Sequence, residues 1–103
     1  MAAIHWTVGA QRDLREIVEY IGQDSAVYAA SMAERLITAV ERLQQHRKLG
    51  RMVPEYEDQT LRELIVGNYR IVYRVRSTRI GIVAIAHASR DLLKKLPQAP
   101  WDF

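Results

Sequence analysis

The residues best suited to chemistry in this chain are arginines spaced along one strand-like run, Tyr69-Arg-Ile-Val-Tyr-Arg-Val75. In an extended chain alternate side chains share a face. Arg70, Val72, Arg74 and Arg76 therefore project to one side, and Tyr69, Ile71, Tyr73 and Val75 to the other. Arg62 belongs to the strand before it, and His87 and Arg90 lie at the end of the strand after it. A guanidinium group is suited to phosphate because its planar fork donates two parallel hydrogen bonds and keeps its charge at any working pH. Histidine titrates near neutrality and can move a proton. Arg70, His87 and Arg90 together would suit metal-independent RNA cleavage. The histidine would handle the 2′-hydroxyl or leaving-group proton, and the arginines would stabilise charge on the phosphorane. The plainer reading is an ordinary solvated strand face and a hydrogen-bonded histidine.

Other chemistries lack support. His5, His46 and His87 fall on three different elements and there is no cysteine, so no metal site, cofactor or disulfide framework is expected. Ser89 has no nucleophile-elbow context, and Gly67 and Gly81 do not form a phosphate-cradling loop.

The elements that must position these residues can be read in order. Ile4-His5-Trp6 is a short strand, and Thr7 is placed to cap a helix. Ala10, Leu14, Ile17, Val18 and Ile21 recur at helical spacing, predicting an amphipathic helix of about four turns that stops near Gly22. After a link in which Asp24 or Ser25 can act as cap, a second helix carries Ala29, Met32, Ala33, Leu36, Ile37, Val40 and Leu43 along one stripe. The short link makes the two helices antiparallel neighbours. His46-Arg47-Lys48 places positive charge at the negative end of the second helix, with Gly50 as the residue after it. Arg51 to Gln59, with Pro54, Glu55, Glu57 and Asp58, reads as a loop crossing to the sheet.

Two strands then meet at Gly67-Asn68, a pair that tolerates the backbone angles of a tight hairpin. A second turn at Ser77-Thr78 leads into Ile80–Ala86, apolar almost throughout, as befits a strand covered on both sides. Arg90 to Leu96 can form a short helix before Pro97, and residues 97–103 form a tail bearing Trp101 and Phe103. The expected architecture is α+β: a two-helix hairpin packed on a small, mainly antiparallel sheet, in the order β-α-α-β-β-β with a short C-terminal helix.

At 103 residues this is one domain, 1–103, with a single core. Hydrophobic residues are 49% and charged residues 26%, excluding a disordered chain, and no apolar run approaches the ~18 residues of a membrane span. No signal peptide is visible, so a cytoplasmic protein is expected. The net charge of +3 is unevenly spread. Residues 1–61 hold seven basic and nine acidic side chains, and residues 62–103 hold eight basic and three acidic ones. A basic surface attracting nucleic acid or an acidic partner follows, if this charge is exposed.

Several phrases together resemble the RelE/ParE superfamily of toxins from type II toxin–antitoxin systems. They are Trp6-Thr7, Asp13-Leu14, Leu49-Gly50-Arg51 with Val53-Pro54-Glu55, Leu61-Arg62-Glu63-Leu64, Gly67 to Val75, and His87-Ala88-Ser89-Arg90-Asp91-Leu92. The resemblance runs from about residue 4 to residue 93 and implies a growth-inhibiting, plasmid-stabilising toxin. It also implies a cognate antitoxin whose acidic C-terminal segment folds on binding, in a hetero-oligomer with Arg62, Arg70, Arg74, Arg76 and Arg90 as the docking set. RelE-like members cut mRNA on the ribosome, whereas ParE-like members inhibit DNA gyrase by binding. Arg70 and Arg90 match basic positions of the family, and His87 lies near a histidine of some nuclease members. The lysines of RelE-like nucleases are replaced by Leu61 and Glu63, and no tyrosine follows Tyr73. The phrases Leu-Gly-Arg-x-Val-Pro-Glu and His-Ala-x-Arg-Asp-Leu resemble ParE more.

Overall fold

Capping and periodicity account for the helices. In the computed structural model, which describes residues 2–90 and 92, Thr7 has extended backbone angles and its hydroxyl accepts a hydrogen bond from the Ala10 amide at 3.1 Å. Helix α1 follows over Val8–Gly22. Ser25, rather than Asp24, caps α2 (Ala26–Glu41), accepting from the Tyr28 amide at 3.0 Å. Each cap satisfies an amide that has no partner within its own helix. Ala29, Met32, Leu36 and Val40 form the buried stripe of α2, continued by Leu43 in a 3-10 turn at Arg42–Gln44. Ile37, grouped with that stripe by spacing, is 41% exposed.

The strands are β1 (Ala3–Trp6), β2 (Arg51–Met52), β3 (Leu61–Val66), β4 (Tyr69–Val75) and β5 (Arg79–His87). They form one sheet in the order β1-β5-β4-β3-β2; β1 runs parallel to β5 and every other pair is antiparallel. The expected α+β fold and element order are therefore observed. The β3–β4 hairpin closes over Gly67-Asn68 with Gly67 at φ 57°. A positive φ on the first central residue alone is the pattern of a type II′ turn, and glycine adopts it without a Cβ clash.

Three expectations are corrected. The 51–59 stretch is not wholly a loop, because Arg51 and Met52 pair with Glu63 and Arg62 as an edge strand. Gly50 does not end α2, which stops nine residues earlier, at Glu41, and runs into a 3-10 turn. Its role is close approach: a Cβ there would lie 2.3 Å from the Glu63 carbonyl oxygen and 2.9 Å from the Tyr73 hydroxyl. Nor is there one core. Ile71, Tyr73, Ile80, Ile82 and Ile85 pack under the helices, while Leu61, Val72, Val83, Ala84 and Ala86 form a second cluster on the opposite face with Val53 and Leu92. β5 supplies both clusters because its side chains alternate between the two faces, with one extra residue, Val83, opposite the Val72/Tyr73 step. The expected helix over residues 90–96 and the tail over 97–103 lie outside the described residues, Arg90 and Leu92 apart.

Candidate functional site

The second face of β4 is where the arginine pattern leads. Arg70 and Arg74 do project from the same side, but they are only 5% and 3% exposed. The expectation of a bare guanidinium surface is corrected by the segment after β2, which folds over this face and brings carboxylates with it. The Arg70 fork meets Glu55 in a bidentate pair, Nη1 to Oε2 and Nη2 to Oε1, both at 2.7 Å. Its Nε donates to Glu63 Oε1 at 2.7 Å, Nη2 lies 2.5 Å from the same oxygen, and Nη1 also reaches the Arg90 carbonyl at 3.3 Å. Glu63, itself buried, accepts from Arg51 Nε at 2.7 Å. Two arginines and two glutamates thus form a neutral chain, Arg51–Glu63–Arg70–Glu55.

Charge compensation shows in the acidities. The hydrogen bonds from Arg70 lower the Glu55 pKa from 4.5 to about 2, and those same contacts push Arg70 further up. Asp58 is also held below the usual carboxylate range, first by the Thr60 hydroxyl and then by Arg74. Arg74 Nη1 donates to Asp58 at 3.0 Å and to Thr60 at 2.6 Å.

The remaining predicted residues are dispersed by the sheet register. Arg62 pairs across the hairpin with Tyr73, so it leaves β3 on the helix side, where it donates to the Gly50 carbonyl at 2.7 Å. Arg76 stands exposed at the β4–β5 turn. Arg70 lies opposite Ala86, whereas His87 lies opposite Tyr69. Since neighbours across a ladder share a face, Arg70 and His87 project from opposite sides of the sheet. The structure does not bring that pair together.

It does bring His87 and Arg90 together, at a cleft of about 350 Å³ between α1 and the end of β5. Asp13, Glu16, Ile17 and Tyr20 line its helical wall. His87 Nδ1 accepts from the Ser89 amide at 3.3 Å and lies 2.8 Å from the Ser89 hydroxyl. Its ring meets Tyr69 edge to face with centroids 5.8 Å apart. Asp13, which helical spacing places among solvent-facing charges, is buried and accepts from the Ile85 amide at 3.0 Å. β1 pairs with β5 only as far as Ile82, so Asp13 supplies the acceptor that a longer edge strand would have provided. A carboxylate on α1 has no local pattern that marks it for this task.

Chemically, the Arg70 face is a closed ion-pair network, and the His87–Arg90 cleft is open, with one imidazole and one guanidinium. Among the described residues no group of three His, Asp or Glu side chains could hold a metal ion, and no described helix is long and apolar enough to cross a membrane.

Comparison with known proteins agrees with this geometry. Residues 4–92 match the family model described as the ParE toxin of the type II toxin–antitoxin system parDE. The chain is 43% identical over 91 residues to Toxin RelE2 of Caulobacter vibrioides, covering 87% of this chain and 99% of that protein. Its fold matches a chain from the chromosomal ParDE toxin–antitoxin system of P. aeruginosa with a TM-score of 0.72 at 25% identity, over 86% of this chain and 98% of that one. The RelBE2 toxin–antitoxin complex of Mycobacterium tuberculosis shares the fold, with a TM-score of 0.59 at 23% identity over 85% and 93% of the two chains. With the Leu49-Gly50-Arg51 and Val53-Pro54-Glu55 phrases now seen to build the network that closes over Arg70, the chain belongs to the ParE toxin family of type II toxin–antitoxin systems, within the RelE/ParE superfamily.

Proposed function

We propose that this chain acts as a ParE-like toxin, inhibiting DNA gyrase by binding it and released from doing so by a cognate antitoxin. The observation that carries this reading is the state of Arg70. Its Nε and both terminal nitrogens are committed to Glu55, Glu63 and the Arg90 carbonyl. A guanidinium group that stabilises a phosphorane must instead present donors to a developing oxyanion. The antitoxin partner is supported by the likeness to the ParDE chain. Among the arginines expected to meet an acidic antitoxin segment, Arg90 is exposed beside the cleft, whereas Arg70 and Arg74 are covered.

The second reading is a RelE-like, ribosome-dependent mRNA endonuclease, and one observation favours it: His87 and Arg90 converge on the same open cleft. Purified full-length chain added to supercoiling gyrase and, separately, to translating ribosomes distinguishes the two. The gyrase reading expects inhibited supercoiling and intact mRNA; cleaved mRNA with unaffected gyrase would overturn it. Both side chains are exposed, so the double variant His87→Ala, Arg90→Ala should stay folded. A nuclease would lose on the order of a hundredfold in rate or more; a gyrase poison would keep its effect on supercoiling within a few-fold.

A further inference from the structure

Much of the exposed positive charge lies away from both sites, at the end of the molecule where the 3-10 turn after α2, the loop after it and the β4–β5 turn meet. Arg47 and Lys48 are exposed there on the helical side, and Arg76 and Arg79 are exposed on the hairpin. The backbone holds these segments together. The Ala2 amide donates to the Gln44 carbonyl and the Ala3 amide to the Thr78 carbonyl, each at 3.1 Å, and the Arg76 amide donates to the Arg79 carbonyl at 2.8 Å. Arg47 bridges the two sides by donating from Nη1 to the carbonyls of Arg76 and Ser77. Accepting carbonyls are neutral, so its charge is not cancelled by these bonds.

Between the segments lies a cleft of about 370 Å³ lined by Ala2, Gln44, Gln45, Arg47, Ser77 and Thr78. Among the described residues no carboxylate lines it. Its side chains are amides, hydroxyls and a guanidinium, the groups that proteins direct at phosphodiester oxygens. The Asp58 carboxylate of the β3 lead-in is already held by Thr60 and Arg74.

We propose that this basic pole binds the phosphate backbone of duplex DNA. Duplex rather than single strand follows from what the pole lacks. Proteins that hold single-stranded nucleic acid stack its bases on aromatic side chains, and among the described residues no Phe, Tyr or Trp lines this cleft. The exposed tyrosines, Tyr20 and Tyr28, line a separate cleft with Tyr69 and His87. Contacts to phosphate alone carry no sequence preference, so binding is salt-dependent and insensitive to sequence. A toxin that held DNA in this way would be concentrated where gyrase works.

The test is fluorescence anisotropy of the full chain with a labelled duplex of about 20 bp across a salt series, which for three to four phosphates should give a log–log slope of about −3. Lys48→Gln with Arg76→Gln should reduce that slope by about 2 and weaken binding at low salt by about tenfold or more. Arg12→Gln with Arg15→Gln, exposed positions on α1, removes the same charge elsewhere and should change the slope by less than half as much. Unchanged thermal unfolding of both pairs shows that folding is not the cause. Equal losses for the two pairs, the absence of saturable duplex binding, or tighter binding of a single-stranded RNA of the same length would overturn the proposal. Gyrase inhibition by a chain that does not bind duplex would sink this proposal and leave the gyrase reading standing; duplex binding without gyrase inhibition would do the reverse.

Discussion

Arg70 marks the difference between a residue that could do chemistry and one that holds a fold. Truncating it would leave Glu63 buried with half its counter-charge and Glu55 without its bidentate partner. Breaking one side of a buried ion pair typically costs about 3–5 kcal/mol, so Arg70→Ala should show a lowered urea midpoint before any activity is measured. A variant with wild-type stability would mean that the network contributes little. Glu55 makes the pH consequence explicit. Its pKa is lowered to about 2 in the folded chain from an ordinary 4.5. A depressed carboxylate stabilises the fold above its unfolded pKa, and that contribution is lost as pH falls from about 4.5 toward about 2. Asp58 is shifted in the same direction. Glu55→Gln should therefore be less stable than wild type near neutrality, and its stability should fall less between about pH 7 and about pH 3. Parallel curves for the two proteins would show that Glu55 is not the titrating group.

Among the elements, β2 and the glycine before it hold the edge of the site. The Gly50 amide donates to the buried Tyr73 hydroxyl at 2.9 Å while its carbonyl accepts from Arg62 at 2.7 Å. There is no room for a Cβ between the β3 backbone and that hydroxyl. Gly50→Ala should destabilise by about 1–3 kcal/mol through overpacking, with the peaks of Met52 and Glu63 amides shifted most in an NMR spectrum. Tyr73→Phe approaches the same contact from the other side and should cost about 1–3 kcal/mol by leaving a buried amide without its acceptor. The helices, the hairpin turn and the apolar β5 were legible from spacing alone because each rests on local rules: caps, periodicity and turn chemistry. The β2 strand was not, since a two-residue edge strand is too short to show any periodicity and exists only because β3 lies beside it.

For the whole molecule, the sheet separates two apolar clusters that fold together as one chain. Leu36 sits fully buried in the helix-side cluster and Leu92 in the other. Each truncation to alanine should cost about 2–5 kcal/mol, and because the two lie in separate clusters on opposite faces of the sheet their effects should add within about 0.5 kcal/mol in the double variant. Strong non-additivity in denaturant titrations would show the clusters coupled through the sheet. Charge is also organised at this scale: of the arginines on β4 and the β4–β5 turn, Arg70 and Arg74 are paired in the interior while Arg76 and Arg79 are exposed at one end.

What the amino-acid sequence determined by itself was the element order, the caps, the Gly67-Asn68 hairpin, the two-sided burial of β5 and the family-like phrases, all set by residues close together in the chain. Only the tertiary structure decided which arginines are exposed and which are buried. Arg70 and Arg74 alternate with apolar residues as an exposed face would, and no local pattern distinguishes that from a buried ion-pair face. The distinction depends on Glu55 and Asp58, some fifteen residues away, folding back over β4. Likewise, the register that pairs Tyr69 with His87 sets His87 and Arg70 on opposite faces. Burial of charge depends on long-range partners, and those partners exist only once the sheet has formed.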